Sequence, residues 1–195
     1  MDDADRAYLE EAFDHWVRAG YGLEGLLDEL RERAEDLVGE VSEDELDQLA
    51  AYVEGRVADQ LELEASWGDE ETVNDRIDEA FAELLDDGIV ALQNAGYTLS
   101  DGWEDAEEAR RDVPDAVGAV FWHGQDTERA VRGEGLLLAF GSFTRGAGHV
   151  AESLEVARKA CDALRKHGVE VAWSGELNDR IRIAPFAWRK RSTAR

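Results

Sequence analysis

Gly118-Ala119-Val120-Phe121-Trp122-His123-Gly124-Gln125-Asp126-Thr127-Glu128 reads as a strand that runs into a polar turn. From Val117 to Trp122 both alternating faces are apolar: Val117, Ala119 and Phe121 on one, Val120 and Trp122 on the other. Leu136 to Phe140 repeats the pattern. Strands buried on both faces belong in the middle of a sheet, with helices on each side. The twelve residues His123 to Glu134 that separate them are barely enough for a parallel crossover. Asp126 or Thr127 can cap the one or two helical turns they contain, and Gly133 can end them.

Downstream, Val150, Leu154, Ala157, Cys161 and Leu164 form a helix stripe closed by Gly168. Val169, Val171 and Trp173, then Ile181 and Ile183, alternate with polar residues around a turn at Ser174 to Asp179. This is the pattern of a hairpin with one wet face, placed at a sheet edge. Pro185 fits the end of its second strand, and Arg189-Lys190-Arg191 reads as a frayed basic tail.

Upstream, the first third is helical. Leu9, Phe13 and Trp16 sit at helical spacing, and Gly20 and Gly22 mark the end. Leu23, Leu26, Leu27, Leu30, Ala34 and Leu37 form one further stripe, stopped near Gly39. Ser42 to Glu45 is a capping box, with Val41 and Leu46 as its hydrophobic staple. Leu46, Leu49, Val53, Val57 and Leu61 line the third helix. Thr72 or Asn74 caps a fourth, with Ile77, Phe81, Leu84 and Leu85 inward and Gly88 ending it. Ile89 to Leu92 reads as a short strand, Ser100-Asp101-Gly102 as a turn, and Trp103 to Asp112 as a short acidic helix before Pro114.

The expected fold is therefore α/β or α+β. A mixed sheet of four to five strands has two doubly buried central strands and an edge hairpin, and an acidic N-terminal helical region docks on it. Residues 1–66 are expected as the three-helix region and residues 70–191 as the α/β domain, together one compact unit.

The net charge of −25 is unevenly spread: residues 1–113 hold 36 acidic and 8 basic side chains, residues 114–195 hold 10 and 13. The acidic half disfavours direct nucleic-acid binding, because phosphate is repelled. It offers an acidic surface to a protein partner, although a solvated surface alone accounts for it. Three lysines against eighteen arginines, with this many acids, resembles proteins of a high-salt cytoplasm, and a GC-rich bacterial or archaeal genome also favours arginine over lysine. The longest apolar runs are far short of a membrane span, and Met1 to Asp5 lacks the features of a signal peptide. With Cys161 as the single cysteine, no internal disulfide forms, and a cytoplasmic protein is the simple expectation.

Several blocks together resemble an uncharacterised bacterial family, DUF6891. They are Asn74-Asp75-Arg76-Ile77-Asp78-Glu79-Ala80-Phe81 followed by Gly88-Ile89-Val90-Ala91; Val120 to Ala130 with Gly135 to Gly141; Gly168 to Trp173 through Arg180-Ile181; and Pro185 to Arg191. The resemblance spans roughly residues 70–191 and implies no activity, the family having no assigned function. The family pattern carries a C-x-x-C cluster after Gly-Ile-Val-Ala, whereas this chain reads Gln93-Asn94-Ala95-Gly96-Tyr97-Thr98-Leu99-Ser100. Any metal or redox chemistry of that cluster is therefore absent from that place here.

His123, Asp126 and Glu128 follow a central strand, where ligand sites collect in open sheets. A histidine with two carboxylates suits a divalent metal or an acid/base pair, and serves equally well as a helix cap. Gly141 to Gly148 links a strand to a helix N-terminus. Its amides, at Gly146 and Gly148, and Arg145 make an anion-binding candidate that lacks the P-loop lysine, and an ordinary flexible loop is the simpler reading of the same residues. His15, His149 and His167 are scattered, and neither a metal set nor a cofactor motif is present. Cys161 lies on an apolar stripe and reads as a packed thiol. Asn-Asp-Arg-Ile occurs at Asn74–Ile77 and Asn178–Ile181, opening a helix and then a strand, so Arg76, Arg180 and Arg182 are candidates to pair with acidic helices rather than marks of a repeat. The leading expectation is a non-enzymatic intracellular binding or regulatory protein. The alternative is a small enzyme, such as a hydrolase, working at His123, Asp126 and Glu128.

Overall fold

The computed structural model describes residues 1–184 and 186–192, so Pro185 lies outside the described residues. The chain divides into two compact units: residues 1–70 with the tail from Arg189, and Glu71–Trp188.

The first unit is helical: α1 (Asp3–Ala19), α2 (Leu23–Asp28), α3 (Leu30–Val38) and α4 (Glu43–Ser66). The leucine stripe expected as one helix is two. Glu29 takes φ −97° and ψ 3°, in the sparsely allowed bridge region, and separates α2 from α3. Leu26 and Leu30 flank that break and are both buried, so the core is continuous across it. The three-helix reading of residues 1–66 thus becomes four helices. Leu9, Phe13, Val17, Leu26, Ala34, Leu49 and Val53 form this unit's own core. At the start of α4 the Glu45 carboxylate accepts the Ser42 N–H at 2.9 Å, as the capping box requires.

The second unit is a mixed sheet with helices on both faces. It contains α5 (Val73–Asp86), β1 (Ile89–Leu92), α6 (Leu99–Ala109), β2 (Gly118–Phe121), α7 (Gly124–Val131), β3 (Leu136–Ser142), α8 (His149–Lys166), β4 (Val171–Ala172) and β5 (Ile181–Ile183), with a single 3-10 turn at Arg110–Asp112. The strand order is β1-β2-β3-β5-β4. The two doubly buried strands are central as expected, and the β4–β5 hairpin holds an edge. Their pairing differs from the parallel crossover considered above: β2 and β3 are antiparallel, with Val120 opposite Phe140. A connection as short as His123 to Glu134 suits antiparallel neighbours better. The parallel pair is β1 with β2, in the register Val90 to Ala119, and α6 lies in its crossover.

Both covers of the sheet come from within this unit. Ile77, Phe81 and Leu84 of α5 pack with Val156, Ala160 and Leu164 of α8 against Val120, Leu138 and Ile181. On the other face Ala106 of α6 meets Val90, Ala119, Phe121 and Ala139, with Trp103 alongside. The second cover is thus α6, one of the helices before residue 113.

The Ser100-Asp101-Gly102 turn is instead the first turn of α6, because Thr98 and Asp101 cap it reciprocally: Thr98 N–H to Asp101 at 2.9 Å, Asp101 N–H to Thr98 at 3.4 Å. Gly102 is needed for close approach: a Cβ there would lie 2.3 Å from Phe121 Cε2. Likewise a Cβ at Gly141 would lie 2.7 Å from Trp103 Cη2, so glycine in β3 makes room for that indole. Among the described residues no helix is long and apolar enough to cross a membrane.

Candidate functional site

The turn from β2 into α7 gathers His123, Asp126 and Arg180. His123 is the N-cap of α7, and its backbone N–H donates to Asp126 Oδ2 at 3.3 Å. The two side chains also meet, His123 Nε2 lying 3.1 Å from Asp126 Oδ2. Arg180, just before β5, approaches Asp126 with both terminal nitrogens, Nη1 to Oδ1 at 2.9 Å and Nη2 to Oδ2 at 2.5 Å. Nη2 also donates to the Leu137 carbonyl at 2.9 Å. Asp126 is 1% exposed and His123 5%, so a fully desolvated carboxylate is answered by a fork-shaped guanidinium.

Burial lowers the His123 pKa below its ordinary value of 6.5, against the pull of the Asp126 charge, so the imidazole is neutral near pH 7. Nε2 faces both Asp126 Oδ2 at 3.1 Å and Arg180 Nη1 at 3.5 Å; a carboxylate only accepts, so the shorter contact assigns the proton of the neutral ring to Nε2. Nδ1 then carries a buried lone pair without a hydrogen-bond partner, and Arg180 Nε is likewise unpartnered. Beneath this cluster Trp122 Nε1 donates to Thr127 Oγ1 at 3.1 Å, and Thr127 donates on to Asn94 Oδ1 at 2.8 Å.

Glu128 does not join His123 and Asp126. It accepts from Tyr97 O–H at 3.1 Å and lies 3.7 Å from Arg132. Of the repeated Asn-Asp-Arg segments, the first spends its arginine locally, Arg76 to Glu71 at 3.0 Å, and the second spends it on Asp126. Arg182 is exposed. Backbone hydrogen bonds join residues 93–100 to the β2–α7 turn: Ala95 N–H to Trp122 O at 2.8 Å and Gly124 N–H to Gly96 O at 2.9 Å.

The second strand-to-helix turn, β3 into α8, is built differently. The Ser142 hydroxyl lies 3.0 Å from Glu152 Oε2, and Thr144 N–H donates to Ser142 Oγ at 3.0 Å. Hydrogen bonds from Thr144 and Ser142 lower the Glu152 pKa. Glu152 also crowds Gly148, where a Cβ would sit 2.7 Å from Oε1, so a carboxylate already serves this end of the helix. His149 Nδ1 is 3.0 Å from the Thr144 carbonyl, which makes Nδ1 the donor and leaves Nε2 as acceptor in the neutral ring.

Between α6 and this turn opens a pocket of about 550 Å³ lined by Trp103, Glu107, Phe143, Arg145, His149 and Val150 among others. Arg145 and Gly146 of the anion-binding candidate border the pocket. The pocket was not apparent in the sequence, because it joins residues 103–107 to residues 142–150 across two strands. The available signal was Trp103 facing a glycine in a β strand.

Cys161 is a buried thiol whose pKa is raised by burial, as its apolar stripe implies. Among the described residues no group of three His, Cys, Asp or Glu side chains is placed to hold a metal ion.

The family described as a domain of unknown function, DUF6891, matches residues 2–192, and the chain belongs to it. The match reaches through the N-terminal helices as well, beyond the segment in which the resemblance is legible by eye. No curated protein matches the chain, and no solved structure does.

Proposed function

We propose that this DUF6891 member is a non-enzymatic binding protein whose ligand seat is the pocket between α6 and the β3–α8 turn. The observation that carries this reading is the pocket itself. It has a volume of about 550 Å³, with Trp103 and Phe143 as aromatic lining, Val150 as an apolar wall, and Arg145, Glu107 and His149 as polar groups. Small-molecule seats are concave, mostly apolar, roughly 300–1,000 Å³ in volume, and carry a few placed polar groups. The chemistry fits a small molecule with an aromatic or apolar body and a polar end. Such occupancy suits a regulatory protein of the cytoplasm. A protein partner remains part of the reading through the acidic helices, and nucleic acid is disfavoured there by charge.

The test is a thermal-shift screen of the full chain against small aromatic acids, amines, nucleosides, divalent metals and inorganic anions. The same screen is run on Val150→Asp and on His123→Gln. Stabilisation that vanishes in Val150→Asp and survives in His123→Gln supports the pocket. The reverse pattern moves the site to the β2–α7 turn.

One observation favours that second reading, a small enzyme using acid/base chemistry. Asp126 orients His123 through Nε2 and leaves Nδ1 with a lone pair, the arrangement of an oriented general base. Against it, Asp126 is saturated by Arg180, His123 is buried, and Glu128 is engaged elsewhere.

A further inference from the structure

The helical unit already holds a short basic segment of its own chain. Residues 1–70 carry 23 acidic and 5 basic side chains. The tail Arg189-Lys190-Arg191-Ser192 belongs to this unit, and each of its four residues has a place. The Arg189 and Arg191 guanidinium carbons lie 5.9 Å and 6.0 Å from the centre of the Trp67 ring. Arg191 Nη2 donates to the carbonyls of Gly68 at 3.2 Å and Glu70 at 3.0 Å, just past the C-terminal end of α4, where a cation is favoured. Lys190 packs elsewhere, on Gly20: a Cβ added to that glycine would lie 2.9 Å from Lys190 Cγ. Ser192 is held by Glu64, which receives its N–H at 3.1 Å on each oxygen and its hydroxyl at 2.7 Å. Gln60 donates to the same carboxylate at 3.0 Å.

Two features separate this from loose attraction between opposite charges. Alternate residues, 189 and 191, share Trp67 while 190 meets Gly20, which is how an extended peptide presents its side chains. Glu64 is 9% exposed, and its carboxylate is matched to a backbone N–H and a hydroxyl. Burying a carboxylate is costly unless its hydrogen bonds are supplied, and with the tail in place Ser192 and Gln60 supply them.

We infer that Gly20, Trp67, the carbonyls of Gly68 and Glu70, and Glu64 form a docking site for an extended Arg-x-Arg-Ser segment of a partner protein. The chain's own tail is its resident competitor. A tethered tail acts at an effective concentration of roughly millimolar, so it masks the site from ligands in trans. Release of the tail exposes it.

The probe is a fluorescein-labelled Arg-Lys-Arg-Ser-Thr-Ala-Arg peptide followed by anisotropy. A chain ending at Trp188 is expected to bind it at least tenfold tighter than the full chain, and Glu64→Gln in the shortened chain to lose at least tenfold. A scrambled peptide of equal charge should bind at least tenfold more weakly. Circular dichroism checks that the shortened chain keeps its helices. If it does not, the full chain carrying Arg191→Ala and Ser192→Ala takes its place, with the same expected gain over the unaltered chain. Equal binding by masked and unmasked chains, equal binding of the scrambled peptide, or no binding by either would overturn the proposal.

Discussion

The two strand-to-helix turns of the sheet unit start from the same plan and end differently. In each, a carboxylate early in the helix folds back toward the turn: Asp126 onto the His123 amide, Glu152 onto Ser142. At α7 the cation needed to close the turn arrives from 54 residues further on, when Arg180 grips Asp126 with two nitrogens. At α8 the local arginine, Arg145, is exposed, hydroxyls satisfy Glu152, and a pocket stays open. The difference teaches that a local histidine–carboxylate pattern does not make a site. What decides is whether a distant group consumes it. The α7 turn reads as a lock on the fold, and the α8 turn as a mouth.

The strongest way to break this comparison is to open the lock. Asp126→Ala removes a buried carboxylate that answers a half-buried arginine and should cost about 3 kcal/mol, the scale for breaking a buried ion pair. Urea unfolding of the Glu71–Trp188 unit reads this, and a change below 1 kcal/mol would argue that the turn is held for chemistry rather than stability. Next comes Gly102→Ala, which drives a methyl into Phe121 and should cost about 2 kcal/mol by overpacking while disturbing the seat of Trp103. Arg180→Lys keeps the charge and loses the fork, for an expected cost of about 1 kcal/mol in the same assay.

The smallest effect is a contrast between two histidines. Burial depresses the His123 pKa from 6.5, so its stability is lost as pH falls through 6.5 toward the folded value. His167 shifts the other way. Glu83 and Glu79 lie 3.0 Å from its two ring nitrogens, and hydrogen bonding to Glu83 is the main cause of its raised pKa. Its contribution is complete below 6.5 and disappears as pH rises through the raised folded value. Denaturation curves at pH 5 to 9 should show His123→Gln flattening the acid side and His167→Gln losing stability at pH 6 but not at pH 9.

Much of this was legible in the chain because it is local. Two-faced apolar runs marked β2 and β3 as central, and Gly88 at φ 73° ends α5 as its position implies. The alternation of Ile181 and Ile183 found the hairpin. What escaped depends on distance along the chain. Nothing near Asp126 announces Arg180, and the tail read as frayed because Glu64 lies 128 residues before Ser192. The helix break at Glu29 interrupts backbone angles without interrupting the leucine stripe, so periodicity passes over it. The start of α6 was missed because its capping residues, Thr98 and Asp101, also favour turns.

The central claim is that the open turn binds and the locked turn does not. The most direct measurement is a titration of the ¹⁵N-labelled full chain with the compound that stabilises it most in the screen, followed by the tryptophan indole and backbone amide signals. The account predicts shifts at the Trp103 indole and the amides of Thr144 to Val150, with the Trp122 indole and His123 unmoved. Shifts centred on Trp122 and His123, with Trp103 silent, would contradict it.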